Sequence, residues 1–333
     1  MMPELLVNGD CRYHGLRAVV LENRFLRLVI LPEAGAKIWQ ITYKPLGADL
    51  LWNNSGIAPA RLPVNSIYDD VWSGGWDELF PNDEVAVIDG KTYPDHGELW
   101  TGEWTAATFS KSDHVGVRLS YTTPLGSIEV EKTIRLLRDC SRIDFHHRFV
   151  NQGRMCFPFL WKLHPAMAVS PQHRIDFPKM KVILEPAFPG TLEGAAEISD
   201  WPIVQTPRGE IDLRCVPPEQ TRQLYFFYGT QMQGNWCAIT NTSTGLACGL
   251  QFDSRIFSCC WLFGTYGGWR DYNVAVLEPC TGYPLNFEAM KAAGRHRIFA
   301  PGESLETDVH FSVQEGLRSV ATMDASGYMR EES

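Results

Sequence analysis

Between Ser141 and Phe149 the chain alternates: Ile143, Phe145, His147 and Phe149 fall on one side of an extended backbone, Arg142, Asp144, His146 and Arg148 on the other. That pattern predicts a half-buried antiparallel strand. The same period sets Ile128, Val130, Lys132, Ile134 and Leu136 against Glu129, Glu131, Thr133 and Arg135, and returns at Leu305, Thr307, Val309, Phe311 and Val313. Further strands are predicted over 16–22, 25–31, 36–43, 84–89, 103–110, 115–121, 156–164, 181–185, 223–229, 236–240, 246–252, 257–263, 272–278 and 295–300. Turn residues punctuate them, as at Glu22-Asn23, Asp89-Gly90 and Asn151-Gln152-Gly153. Helical spacing is weak, best at Val313, Leu317 and Val320 in the stretch running to Met323. With no repeat, low-complexity tract or linker, the expectation is a single all-β domain over 1–333, a large antiparallel sandwich with few short helices. Residues 53–83 and 186–222 resist the strand pattern and are expected to be long ordered loops walling a site.

Composition narrows the class. Hydrophobic residues make up 44% and charged residues 21%, an ordinary globular balance, and the formal charge of −9 offers no basic surface for nucleic acid or anionic membrane. The start lacks a basic n-region and an apolar h-region, and no run of about 18 apolar residues occurs, so a soluble, unexported protein is expected. Nine cysteines form no CxxC pair, and Cys156, Cys237, Cys248 and Cys259 sit in apolar runs, which fits reduced thiols in a cytoplasm. Cys259 and Cys260 point to opposite faces of a strand, as do His146 and His147, so neither pair makes a metal clip.

Three segments carry candidate chemistry. The first is Gly74-Gly75-Trp76-Asp77-Glu78-Leu79-Phe80-Pro81-Asn82-Asp83 with Asp95-His96-Gly97-Glu98-Leu99-Trp100. Aromatic faces stack on pyranose C–H groups while carboxylates and amides bind hydroxyl pairs, so a sugar site and a plain surface turn are both open here. His96 can be a donor or acid near neutral pH and Gly97 leaves room for a ligand, but a lone histidine is more often structural. Read as H-x-E, the site lacks the Pro-Cys-x-x-Cys partner of a zinc deaminase. The second segment is Phe159-Leu160-Trp161-Lys162-Leu163-His164-Pro165, where alternation puts Lys162 and His164 on one face and Pro165 is expected to stop the ladder. The third ends an apolar strand in Glu278-Pro279, a carboxylate that either faces a pocket or is an ordinary strand end. Asp253 and Arg255 read best as a salt-bridged strand end, with hydroxyl binding the other option.

At these residues the chain resembles the galactose mutarotase-like superfamily, which includes the aldose 1-epimerases, and stands nearer a bacterial branch than the galactose mutarotases themselves. The likeness covers nearly the whole chain: Leu31-Pro32-Glu33-Ala34-Gly35-Ala36-Lys37-Ile38, the His96-Gly97 step, His164 on a strand and Glu278 at a late strand end. It implies a β-supersandwich with its site on the concave face of a large sheet. It also implies a glutamate base on the anomeric hydroxyl and a histidine acid at the ring oxygen; by position these are Glu278 and His164, with His96 holding the sugar. Trp76, Asp77, Asn82, Asp95, Trp161, Lys162 and Asp253 are the expected sugar contacts. Two departures stand out: His164 lies in Lys-Leu-His-Pro where an epimerase has Asn-His-x-Tyr, and no Asn-Arg pair precedes His96, leaving Arg61 or Asn82 as substitutes.

The chemistry stands without the resemblance: opening an aldose ring takes one proton from O1 and gives one to O5, work for a carboxylate and an imidazole with no cofactor or metal. Anomer interconversion is therefore the expected activity. A lyase or glycoside-processing reaction, or sugar binding without catalysis, remain the alternatives on such a fold. Few arginines near the candidate segments speak against a phosphosugar. The expected partner is a small sugar or sugar derivative, with no nucleic acid and no membrane, and a homodimer is left open.

Overall fold

The structure is a computed structural model that describes residues 5–331. Strand accounts for 51% of it and helix for 5%, the all-β architecture of large antiparallel sheets that the alternation predicts. The chain divides into two compact units, Met1–Pro165 with Thr281–Asp308 and Ala166–Cys280 with Val309–Ser333.

In the first unit, strands Leu6–Tyr13, Leu16–Glu22, Leu26–Leu31, Lys37–Tyr43 and Trp76–Leu79 pair antiparallel in that order, and Lys162–Ala168 joins the far side of Trp76–Leu79. A second layer runs Thr105–Ser110, His114–Thr122, Ile128–Leu137, Arg142–Asn151. Its register sets Val130 opposite Phe149, Lys132 opposite His147 and Ile134 opposite Phe145, which places all six side chains on one face. That face is the core: Phe145 packs on Trp76 with ring centres 4.9 Å apart, and Phe149 on Trp161 at 4.6 Å and Phe80 at 5.3 Å. Each such side chain contributes about 1.5–3 kcal/mol by leaving water.

In the second unit, Lys181–Leu184, Gln223–Thr230, Cys259–Tyr266 and Asn273–Cys280 form one antiparallel set. His173–Asp176, Trp236–Asn241, Leu246–Phe252 and the end of Ser304–Gln314 form another. Trp236, Ala238, Ala247, Leu317, Val320, Met323 and Met329 share a buried cluster there.

Four local expectations are corrected. Residues 53–83 hold a helical turn, Tyr68–Val71, and a fully buried strand, Trp76–Leu79. The strand escapes a pattern search because its central residues, Asp77 and Glu78, are charged on both faces and each is matched by a buried lysine. Residues 186–222 contain short strands, Ile198–Asp200, Ile203–Thr206 and Gly209–Asp212, the last two a hairpin. The tail is not helical: Val313 ends a strand, and Leu317 and Val320 reach the core from irregular chain. The helix that does form is Phe287–Ala292, capped by Asn286, whose side chain accepts the Ala289 N–H. Pro165 closes the ladder against Trp76, as a residue without an N–H does, but its strand runs on to Ala168.

Cys237, Cys248 and Cys259 are buried as expected, whereas Cys156 is exposed ahead of its strand. No helix among the described residues is long and apolar enough to cross a membrane.

Candidate active site

The Trp76–Leu79 strand organises the first unit's polar residues because a strand alternates its faces. Trp76 and Glu78 turn into the core, where Glu78 Oε1 meets Lys132 Nζ at 2.9 Å and His147 Nε2 at 3.0 Å, while Trp161 Nε1 donates to Oε2 at 3.2 Å. Burial alone raises the Glu78 carboxyl, but the His147 and Lys132 charges outweigh it and hold the group well below the ordinary carboxylate range.

Asp77 turns the other way. The register places His164 directly across from it and Lys162 across from Leu79, so Lys162 and His164 do share one face. Lys37 Nζ donates to Asp77 Oδ2 at 2.5 Å and to the Gly74 carbonyl at 2.7 Å. The Tyr68 hydroxyl donates to the same Asp77 oxygen at 2.8 Å and lies 3.2 Å from His164 Nδ1. Lys162 is ion-paired with Asp83.

His96 arrives from a tight turn and stacks flat on the Tyr68 ring, 4.2 Å between centres and 7° between planes. Its Nδ1 lies 3.0 Å from Asp95 Oδ1, and the other oxygen of Asp95 accepts the Tyr68 N–H at 2.8 Å. One tyrosine therefore touches both candidate histidines and both carboxylates that serve them. Trp100 meets Tyr68 edge-on at 4.9 Å, and Trp72 meets His164 at 5.7 Å. A small cavity lined by Ala34, Lys37, Tyr68, Trp72 and Trp100 lies beside them.

The two imidazoles sit in opposite fields. For His96, burial works against the charged form, yet the Asp83 charge and the Asp95 hydrogen bond overcome it and lift the group above the ordinary histidine value. For His164, burial and then the charges of Lys162, His96 and Lys37 push it well below that value. Asp95 is held low, burial notwithstanding, by the hydrogen bond and charge of His96.

Gly97 makes the His96 turn possible. Its φ is +75°, and a Cβ there would stand 2.0 Å from the Phe80 carbonyl oxygen. Gly97→Ala is therefore expected to cost more than the about 1–3 kcal/mol of a strained backbone residue, read as a lowered midpoint in chemical denaturation; an unchanged midpoint would show that the turn tolerates the side chain.

Of the residues singled out from sequence, Asp77, Asp95, His96, Lys162 and His164 gather in this cluster. Trp76 and Trp161 instead stand in the core, 2% and 0% exposed: Trp76 occupies the interior parity of its strand, and Trp161 immediately precedes Lys162–Ala168. Asn82 is also fully buried, its amide donating to the carbonyls of Glu84 and Pro94, which ties the loop together. In the second unit, Glu278 lies on Asn273–Cys280, 1% exposed and across from Trp261. Asp253 takes a two-pronged ion pair from Arg255 at 2.7–3.1 Å, the salt-bridged strand end preferred on sequence. Lys37, Tyr68 and Trp72 were missed as site residues, the last two because 53–83 shows no period to anchor a face. Among the described residues no three His, Cys, Asp or Glu side chains are placed to hold one metal ion.

No family model and no curated protein matches the sequence. Solved structures do, and they define the class: the chain has the galactose mutarotase-like fold. A provisionally named aldose 1-epimerase from Klebsiella pneumoniae superposes with a TM-score of 0.72 at 12% identity, over 93% of this chain and 83% of that one. A provisionally named aldose 1-epimerase from Escherichia coli gives 0.66 at 20% identity over 90% and 100%. A galactose mutarotase-like protein from Clostridium acetobutylicum gives 0.66 at 12% over 94% and 99%.

Proposed function

We propose that this protein interconverts the α and β anomers of a free sugar or sugar derivative by ring opening and closure. The observation that carries the reading is the pairing of two imidazoles held in opposite electrostatic fields around Tyr68, because proton exchange at one ring needs a donor and an acceptor side by side. The likeness in fold to the epimerase-named structures supports it. In this reading a carboxylate takes the O1 proton, a role assigned to Glu278 from the sequence resemblance, and an imidazole protonates O5. Asp95, Asp77 and Lys162 orient those groups or bind hydroxyls, and the protein works in the cytoplasm on a small sugar. The test is anomer exchange by NMR or polarimetry over a panel of free aldoses and uronates. Acceleration of at least one sugar above buffer is expected; none across the panel would overturn the proposal.

A further inference from the structure

We propose that the outer face of the second layer in the first unit holds a binding site for an organic phosphate, a phosphate group carried on a flat or apolar body. The site stands apart from the anomer-exchange reading, since none of its residues belongs to the Tyr68 cluster.

Strand parity builds it. In Ile128–Leu137 the side chains of Val130, Lys132 and Ile134 face the core, so Thr133 and Arg135 face outward. The antiparallel register carries that outer face across the layer in two rows: Arg135, Gly116 and Phe109, then Thr133, Arg118 and Ala107. Gly116 sets the shape. A Cβ there would collide with Phe109 Cζ and with the Ile134 carbonyl oxygen, so glycine is what lets the Phe109 ring settle onto the sheet. The ring stays half-buried and meets His114 edge-on at 5.9 Å. The face is left with a hollow of about 470 Å³, inside the about 300–1,000 Å³ typical of small-ligand sites.

The charge in that hollow is one-sided. Its lining contains Lys111, His114, Arg118 and Arg135 and no carboxylate. Lys111, Arg118 and Arg135 are exposed, and neither Lys111 nor Arg135 has an ion pair among the described residues. The neighbouring acids lie outside the lining: Glu131 is 3.4 Å from Arg118, and Asp113 is 2.8 Å from His114 Nδ1. Asp144, opposite Arg135 in register, takes a bond of 2.6 Å from Arg142. On a chain of net charge −9 this concentration of cations is a local exception that draws an anion to one place. A dianionic phosphate suits it, because guanidinium groups fork onto phosphate oxygens, a lysine adds a point charge and the Thr133 hydroxyl is a further donor. A carboxylate, with one charge, would leave most of that field unanswered. The cations are too few and too confined for the stripe that a nucleic-acid backbone needs, so the ligand is a small molecule, and the Phe109 ring gives its body an apolar seat.

The experiment is isothermal titration calorimetry on the full-length protein with adenosine monophosphate, inorganic phosphate and adenosine as probes. Adenosine monophosphate is expected to bind at one site, more tightly than inorganic phosphate and far more tightly than adenosine, with an affinity that falls as salt rises. Arg118→Gln and Arg135→Gln, both at exposed positions, should each weaken it about tenfold or more. Arg24→Gln, at an exposed position outside the hollow, should leave it unchanged. Absence of binding, equal affinity for inorganic phosphate or adenosine, or undiminished affinity in the two arginine variants overturns the proposal. So does equal weakening in Arg24→Gln, the mark of a diffuse effect of charge. None of these readings needs turnover: a protein that exchanges no anomers would leave the site standing, and an empty site would leave the anomer-exchange reading untouched.

Discussion

Glu278→Gln is expected to slow anomer exchange by about 10²–10⁴-fold. The amide keeps the volume and shape of a side chain that is 1% exposed and set across a strand pair from the fully buried Trp261, so packing changes little. What it loses is the ability to take a proton. Selective inversion NMR on an equilibrated sugar measures the exchange directly, and thermal unfolding alongside it confirms an intact fold. A glutamine variant as fast as the native protein would remove the carboxylate from the mechanism.

The largest loss of stability is expected from Glu78→Gln. Lys132 and His147 converge on one carboxylate oxygen in the core of the first unit, and the Glu78 and Lys132 side chains are each 3% exposed. Breaking a buried ion pair by removing one partner costs about 3–5 kcal/mol, because the remaining charge stays buried without compensation. Against a total stability of about 5–15 kcal/mol that is a large share. Denaturant titration of the native and variant proteins reads it, and Lys132→Met combined with Glu78→Leu should recover much of the deficit. A shift below about 1 kcal/mol would mean that the cluster behaves like a surface pair. The pH sense follows from the depressed carboxyl: its contribution is full above the ordinary carboxylate range and drains away as acid protonates the folded group.

The all-β class was legible in the sequence wherever one sheet face meets the core and the other meets water. Ile143 to Phe149 show this cleanly, and their burial alternates residue by residue from Phe145 onward. Trp76-Asp77-Glu78-Leu79 carries no such trace, because both faces are buried and charge is answered by charge from distant positions, Lys37 and Lys132. Pairing across 40 and 54 residues leaves no local period to detect. The candidate site divides in the same way. His96 was found through its glycine and His164 through strand parity, both local features. Tyr68 was not, since its importance lies in touching His96, His164, Asp77 and Asp95 together, a property of tertiary structure alone. Trp76 and Trp161 were drawn toward the substrate by residue type, and both stand in the core instead.

Asp77 and Glu78 are neighbours on one strand, yet one anchors Tyr68 and the other the lysine and histidine of the interior. A single peptide link thus ties the chemistry on one side of the strand to the foundation on the other. Natural drift in the foundation is therefore not silent: exchanging its charges for hydrocarbon, however favourable for packing, would re-aim the neighbouring aspartate and so retune the imidazoles it serves.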